Sequence, residues 1–182
     1  MQLTPLDGEH RLWLVEDILS EEQMKDIVSI DWPSLSWKRG CMQEHWKRRQ
    51  IHDDNPDIQR ISKYVPVLLP KINTALGTQF KRTWCMWWLD EPGFTCDMHT
   101  DGHLPNAMQI YWLAPSEDYG TVFYHYRDPS HVKHKFLSRP NQGYLMLNHA
   151  NEDGSQPLQW HNMPNPVPEG TWRLSSYWFF EL

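Results

Sequence analysis

Two residues within the segment 97–103 have the chemistry of metal ligands. His99 and Asp101 stand two positions apart, and residues at this spacing project to the same face of a β-strand. A histidine nitrogen and an aspartate oxygen on one face are two of the ligands of a 2-His-1-carboxylate facial triad, which holds Fe(II) and leaves positions open for substrates and O₂. The segment therefore predicts a metal site that needs one more histidine.

The H-x-D pattern occurs twice in the chain, so the pattern alone is not specific. His52 and Asp54 form the other copy, directly before Asn55 and Pro56, where acidic residues act as helix caps and as partners of the helix dipole. We interpret that copy as structural. The copy at His99 instead follows a predicted strand and a Pro-Gly turn, and a further predicted strand comes after it.

The third ligand is expected from the second half of the chain, where several histidines are available. His161 is favoured because Arg173 and Ser175 follow it, two residues apart on the last predicted strand and so on one face. A guanidinium binds a carboxylate through two parallel hydrogen bonds, and a hydroxyl adds another. The pair therefore predicts a carboxylate receptor near the metal site. The other candidates are His103, His125, His131, His134 and His149.

Composition and charge exclude several classes of protein. The 182 residues suit a single domain with a core of its own, and the net charge of -6 disfavours sequence-independent binding to nucleic acid. Three cysteines without a C-x-x-C pair argue against a disulfide framework and against a structural zinc site, and they favour a reducing, cytoplasmic compartment. We expect neither a signal peptide nor a membrane span.

The region of about residues 16–77 is predicted to be a helical support. Ser20 and Gln23 form a capping box, which opens a helix that ends before Pro33. A second helical pattern starts after Asn55, is divided or kinked by two internal prolines, and is closed by a glycine at residue 77.

The region of about residues 82–182 is predicted to be built from strands. Short aromatic-rich strands after a helical lead-in favour an α+β fold whose main body is a β-sandwich or barrel. No repeat or linker interrupts the chain, so we predict one domain over 1–182. The predicted strands cover residues 82–89, 107–113, 121–126, 143–148 and 171–180, preceded by one at 11–15.

The segment 36–50 is both basic and aromatic. It contains Lys47, Arg48 and Arg49 in a row. Such a segment could bind an anionic or peptide substrate, but a solvated strand-and-loop surface is the preferred interpretation.

The order of these features resembles the Fe(II)/2-oxoglutarate-dependent oxygenases, and in particular their prolyl-hydroxylase-like branch. The shared order is H-x-D, then a distal histidine, then Arg-x-Ser on the last strand. The sequence Glu-Pro-Gly-Phe at 91–94 is similar to the turn that precedes H-x-D in that branch. Further similar segments are 111–114 with 120–123, which match its central strands, and 143–148, which matches the strand before its distal histidine.

The resemblance implies a double-stranded β-helix, which is a jelly-roll core of two facing sheets, with supporting N-terminal helices. Fe(II) would be held by His99, Asp101 and His161. The cosubstrate 2-oxoglutarate would chelate the metal, while Arg173 and Ser175 hold its far carboxylate. O₂ would be consumed, with succinate and CO₂ as coproducts of a hydroxylation, and ascorbate is a further cofactor that such enzymes use. Tyr111 and Thr121 are additional candidates to contact 2-oxoglutarate, and the phase of their strands decides whether they can.

Three functions are compatible with this reading of the sequence. The leading hypothesis is an oxygenase that hydroxylates a peptide side chain or a small molecule. Collagen-type prolyl hydroxylases usually carry lysine where Arg173 stands, so a prolyl substrate is not implied. An oxidative nucleic-acid demethylase is one alternative, supported only by the segment 36–50. A non-catalytic, cupin-like metal-binding module is the other, although it would not need Arg173 with Ser175. The sequence predicts neither the substrate nor the oligomeric state.

Overall fold

The computed structural model consists mainly of antiparallel strands in two sheets. It describes residues 1–9, 11–35, 37–39, 47–51, 56–101, 106–148 and 158–181. Within these residues, no helix has both the length and the hydropathy needed to cross a bilayer.

The major sheet has eight strands, every neighbouring pair of which is antiparallel. A central strand of nine residues lies between two others, and this pairing opposes Arg173 to Asp90 and Ser175 to Tyr111. In spatial order the strands are β1 (Gln2–Pro5), β2 (Leu12–Glu16), β10 (Gln142–Met146), β7 (Asn106–Leu113), β12 (Arg173–Glu181), β5 (Arg82–Asp90), β4 (Arg48–Ile51) and β3 (Trp37–Arg39).

The minor sheet has four strands and carries two of the predicted metal ligands. The register between its first two strands places His161 directly opposite His99. Strand pairing therefore brings together two residues that are far apart in the sequence. In spatial order the strands are β6 (Cys96–His99), β11 (Trp160–Met163), β8 (Val122–Tyr124) and β9 (Val132–Lys135).

The described residues contain three α-helices, which precede most of the strands: α1 (Glu21–Val28), α2 (Pro56–Ser62) and α3 (Val65–Leu76). The predicted capping box of α1 is confirmed: the Gln23 backbone N–H donates to Ser20 Oγ at 3.3 Å, and the Ser20 N–H donates to Gln23 Oε1 at 2.9 Å. Gly77 ends α3 in a left-handed conformation with φ of 66°, which glycine adopts without steric cost. The predicted helix cap at Asn55 lies outside the described residues.

Two apolar cores lie on the two faces of the major sheet. The outer core joins one face to the helices through side chains such as Trp112, Trp178 and Ile72, all essentially inaccessible to solvent. The inner core joins the other face to the minor sheet through side chains such as Tyr144 and Phe123. Burial of each large apolar side chain stabilises the fold by about 1.5–3 kcal/mol, so the major sheet is fixed from both sides.

The predicted fold class is confirmed as an α+β fold with a double-stranded β-helix core. The strands predicted in the second half are present as β5, β7, β8, β10 and β12. The strand predicted at 11–15 is present as β2, whereas β1 was not predicted. The region 16–77 differs from a purely helical support, because β3 and β4 lie within it and extend the major sheet. These two strands have only three and four residues, too short for a clear alternation of apolar side chains. The single-domain organisation stays a prediction.

Candidate metal centre

The structure brings His99, Asp101 and His161 together at one end of the space between the sheets. His99 ends β6, Asp101 follows it by two residues, and His161 lies opposite on β11. Each histidine Nε2 lies 3.5 Å from an oxygen of Asp101. All three ligand atoms fall within 4.8 Å of one another, which is the spacing at which one ion can bridge them.

The two histidine rings are oriented by the backbone. The Nδ1 atom of His99 lies 2.7 Å from the carbonyl oxygen of Asp97, and that of His161 lies 2.8 Å from the carbonyl oxygen of Gln159. A carbonyl only accepts, so Nδ1 carries a proton in both rings and Nε2 is the nitrogen left to bind a metal. Two such nitrogens and one carboxylate form the donor set that suits Fe(II) in a facial triad. The residues therefore fit this metal.

Asp101 is held as an anion by its neighbours. Burial by itself would raise the pKa of Asp101, but the hydrogen bond and charge of His161, together with the Tyr177 hydroxyl, bring it to about 2. Tyr177 Oη donates to Asp101 Oδ2 at 2.7 Å. The carboxylate is thus ready to bind a cation, and one of its oxygens is already positioned by Tyr177.

His99 is basic as long as the metal is absent. Burial by itself would lower its pKa, but the hydrogen bond and charge of Cys96, the carbonyl of Asp97 and the charge of Asp101 outweigh burial and raise it to about 9. A metal ion must therefore displace a proton from His99 when it binds.

A cavity of about 330 Å³ lies between the two sheets and is lined by all three ligands. Its walls are largely apolar, and Trp88 stacks on Tyr177 with 5.3 Å between ring centroids. Polar side chains converge on it from both sheets. Those that line it, apart from the triad and Tyr177, are Arg48, Thr100, Gln109, Thr121, Tyr144 and Asn162.

Gln109 links several of the polar residues around the cavity. Its Oε1 accepts from Tyr144 Oη at 2.9 Å and from Thr121 Oγ1 at 3.2 Å, while its Nε2 donates to Ser175 Oγ at 3.2 Å. Tyr111 Oη accepts from the Thr121 backbone N–H at 2.8 Å and lies 2.7 Å from Thr121 Oγ1. The network fixes the side chains that face the cavity through others that lie behind it.

Arg173 lies in a buried ionic cluster. Its side chain is 1 % exposed, and Nε and Nη2 donate to Oδ2 of Asp90 at 2.9 and 2.6 Å. Its Nη1 donates to the carbonyl of Tyr119. Arg48 contacts the same carboxylate, through Nε to Oδ1 at 2.5 Å and Nη2 to Oδ2 at 3.2 Å. Burial would raise the pKa of Asp90, but the charges of the two arginines hold it below its usual value.

The sequence-predicted residues fall into three groups. The triad is assembled, and Thr121 lines the cavity beside it. Tyr111, Ser175 and Arg173 face the inner core but lie behind the cavity lining, so their contacts with 2-oxoglutarate stay predictions. Of the other histidines, His103 and His149 lie outside the described residues, whereas His125, His131 and His134 are on the hairpin of β8 and β9.

Several residues of this site were not singled out from the sequence. Alternation along β12 places Tyr177 on the face of Arg173 and Ser175, and this signal could have identified it. Arg48 had no such signal, because its place depends on the pairing of β4 with β5. Asp90, Gln109 and Tyr144 were likewise not predicted from the sequence.

Comparisons with known proteins identify the fold. No protein-family model matches the chain, and no curated protein matches it either. Solved structures do match. An oxidoreductase of the 2OG-Fe(II) oxygenase family from Burkholderia pseudomallei superposes with a TM-score of 0.66 at 10 % identity, covering 95 % of this chain and 85 % of that one. A prolyl-4-hydroxylase from Pseudomonas putida gives 0.62 at 13 % identity, covering 94 % and 92 %.

A third match was solved with ligands. HygX from Streptomyces hygroscopicus, with nickel, 2-oxoglutarate and hygromycin B bound, gives a TM-score of 0.58 at 10 % identity, covering 92 % of this chain and 82 % of that one. At such identities the likeness concerns the backbone, and it agrees with the two sheets and the supporting helices seen here. The chain has the fold of the 2-oxoglutarate- and Fe(II)-dependent oxygenases.

Proposed function

We propose that this protein is an Fe(II)- and 2-oxoglutarate-dependent dioxygenase that hydroxylates a small molecule or a peptide side chain. The observation that carries the proposal is the assembly of His99, Asp101 and His161 around one point of the cavity, in a fold shared with such oxygenases. Fe(II) bound there with 2-oxoglutarate would supply the oxidising chemistry, in which O₂ is consumed, succinate and CO₂ are released and the substrate gains a hydroxyl group.

The residues of the triad would hold the metal from two neighbouring strands and from a position just after the first of them. His99 and His161 present Nε2 because backbone carbonyls occupy Nδ1. Asp101 supplies the anionic ligand, and Tyr177 fixes its carboxylate from behind. Because such outer contacts orient the ligands and tune the metal, Tyr177 is a positioning residue.

The walls of the cavity surround the reacting groups with largely apolar side chains. Met86, Trp88 and Phe179 cover one side with apolar surface. A water-poor site strengthens electrostatic contacts and prevents side reactions of reactive species. The protein thus contributes orientation and shielding, while the metal and the cosubstrate contribute the chemistry.

The substrate class is inferred from the related folds. The named neighbours include a prolyl-4-hydroxylase and a protein solved with hygromycin B, so the fold accommodates both peptide and small-molecule substrates. We therefore propose that the substrate of this protein is a peptide or a small molecule. The free thiol of Cys96, which lines the cavity beside His99, supports a reducing cytoplasmic location.

Nucleic-acid demethylation has less support. The interpretation of segment 36–50 as a solvated surface is wrong for Arg48, which is 6 % exposed and bound to Asp90. Arg49 pairs with Glu91. Arg48 is therefore too deeply buried to reach a phosphate backbone, and Arg49 already has a carboxylate partner, which disfavours the phosphate contacts that such binding requires. If replacement of Lys47, Arg48 and Arg49 removed an affinity for single-stranded DNA, this alternative would be favoured again.

The decisive experiment is anaerobic binding followed by turnover in air. We expect Fe(II) and 2-oxoglutarate together to produce a visible metal-to-ligand charge-transfer band, and Zn(II) in place of Fe(II) to produce none. Admission of air should then release succinate. A cupin-like metal-binding module would bind the metal without either signal. Absence of both the band and succinate would rule out the oxygenase.

A further inference from the structure

The cluster of Arg48, Asp90 and Arg173 carries an unbalanced charge inside the protein. Two guanidinium groups share one carboxylate, and all three side chains are at least nine-tenths buried. An arginine does not lose its proton in a protein. The cluster therefore retains one positive charge, and a buried charge without a partner is costly.

The two arginines differ in what they can still bind. Every guanidinium nitrogen of Arg173 donates to a protein atom, either of Asp90 or of Tyr119. In Arg48, Nε and Nη2 contact Asp90, whereas Nη1 donates to no atom of the described residues. Arg48 also lines the cavity that holds the metal triad, and Arg173 does not. The unbalanced charge is thus presented to the cavity by Arg48.

On the basis of the proposed function, we propose that Arg48 is the residue that receives the far carboxylate of 2-oxoglutarate. Asp90 then serves as an internal counter-ion that ties Arg48 to Arg173. This assignment differs from the expectation of a receptor formed by Arg173 with Ser175. It also gives the cluster a fourth, anionic member, which balances its charge.

Arg48 is fixed in place before any ligand arrives. Its guanidinium carbon lies 4.0 Å from the ring centroid of Trp88 and 4.2 Å from that of Phe94. Contacts with aromatic faces stabilise a cation, and the two hydrogen bonds to Asp90 fix the plane of the group. A receptor ordered in advance loses little conformational entropy on binding.

The arrangement selects one class of ligand. The metal triad and a guanidinium line the same apolar cavity, so a suitable ligand has a metal-chelating end and a second, anionic end. A 2-oxo acid with a terminal carboxylate meets both demands. A 2-oxo acid of the same chain length without that carboxylate, such as 2-oxopentanoate, would meet only the first.

The test is a comparison of these two acids in Arg48→Met, which retains much of the side-chain packing. Dissociation constants are measured anaerobically on Fe(II)-loaded protein by the charge-transfer band and by calorimetry. Hydrogen bonds to charged groups contribute enough for a preference of roughly 10- to 100-fold for 2-oxoglutarate in the natural protein. We expect Arg48→Met to lose at least about 10-fold of that preference, with the affinity for 2-oxopentanoate unchanged.

The matched control is Arg49→Met, one residue further along β4. Arg49 pairs with Glu91 and is 40 % exposed, so this variant should keep the natural preference. Should Arg48→Met fail to bind either acid, Arg48→Lys replaces it in the comparison, because lysine keeps the charge but not the fork of donors. A reduced preference in Arg48→Lys supports the assignment.

The outcomes separate this assignment from the proposed function. If the natural protein binds neither acid, the oxygenase proposal fails. If it binds 2-oxoglutarate with a preference that persists in the Arg48 variant, or if it binds both acids equally well, the oxygenase proposal stands and the role of Arg48 is overturned.

Discussion

Strand β12 carries two different kinds of side chain on its two faces. The inner face, towards the minor sheet, presents Arg173, Ser175, Tyr177 and Phe179. The outer face, towards the helices, presents Leu174, Ser176, Trp178 and Phe180. Residues alternate in direction along a strand, so a single strand of nine residues belongs to both cores.

The polar groups on the two faces are satisfied in different ways. On the outer face, Ser176 Oγ accepts from the indole nitrogens of Trp112 and Trp178 at 2.8 and 2.5 Å. On the inner face, Tyr177 contacts the predicted metal ligand Asp101, and Arg173 belongs to a cluster with a residual charge. The polar groups of the outer face thus satisfy one another within the protein. Those of the inner face instead contact a predicted metal ligand or carry a residual charge that a bound ligand can balance. We therefore expect substitutions on the outer face to lower the free energy of unfolding, and substitutions on the inner face to weaken the binding of metal or of 2-oxoglutarate.

The largest effect is expected at the metal centre, from Asp101→Ala. Loss of a supporting contact to a ligand typically costs about 10- to 100-fold in metal affinity or activity, so loss of the ligand itself should cost more and reduce turnover to background. The variant should still fold, because Asp101 belongs to the cavity lining and to neither apolar core. Succinate release measures turnover, and thermal unfolding checks the fold. A variant with unchanged turnover would remove Asp101 from the ligand set.

The next effect is expected on the outer face, from Trp178→Ala. The side chain is 2 % exposed, and truncation of a buried tryptophan costs about 3–5 kcal/mol in the free energy of unfolding. Chemical denaturation measures this cost. Trp13, which packs against the same outer core but is only partly buried, is the control, and its truncation should cost clearly less. Metal affinity of the folded protein should stay the same in both variants, and a selective loss in Trp178→Ala would break the division between the faces.

The third effect is expected from Tyr177→Phe, which removes only the hydroxyl that donates to Asp101. Metal affinity should fall by about 10- to 100-fold, measured by titration with Fe(II) or with a stable divalent substitute. Tyr64→Phe is the matched control, since its hydroxyl also contacts a carboxylate, that of Asp26, but belongs to the outer core. That control should leave metal affinity unchanged. Equal affinities in both variants would show that Tyr177 does not position the ligand.

The sequence was sufficient for the parts of the molecule that depend on local patterns. The H-x-D spacing, the capping box at Ser20 and the aromatic alternation of the later strands are all read within a few residues. The distal His161 was favoured through its distance to Arg173, and the structure places it opposite His99. These features follow from the periods of helices and strands, which a single sequence displays.

The features that were not predicted depend on which strands pair with each other in the folded sheet. Asp90 and Arg173 are far apart in the chain, and only the register of β5 with β12 makes them partners. Arg48 lies in a strand of four residues at the side of the major sheet, where basic side chains usually indicate a solvated surface. The buried ionic cluster was therefore not predicted, because the sequence around each of its residues gives no sign of their pairing.

The smallest effects come from two adjacent serines on opposite faces, Ser175 and Ser176. Ser176→Ala leaves two buried indole N–H groups without their acceptor, so the free energy of unfolding should fall by about 1–2 kcal/mol, with 2-oxoglutarate binding unchanged. Ser175→Ala removes the acceptor of Gln109 Nε2, and because Gln109 lines the cavity, water can replace that contact. Stability should then change by less than about 1 kcal/mol, while 2-oxoglutarate binds a few-fold more weakly. Denaturation and binding titrations on the two variants should therefore give opposite results, and identical profiles would contradict the division between the faces of β12.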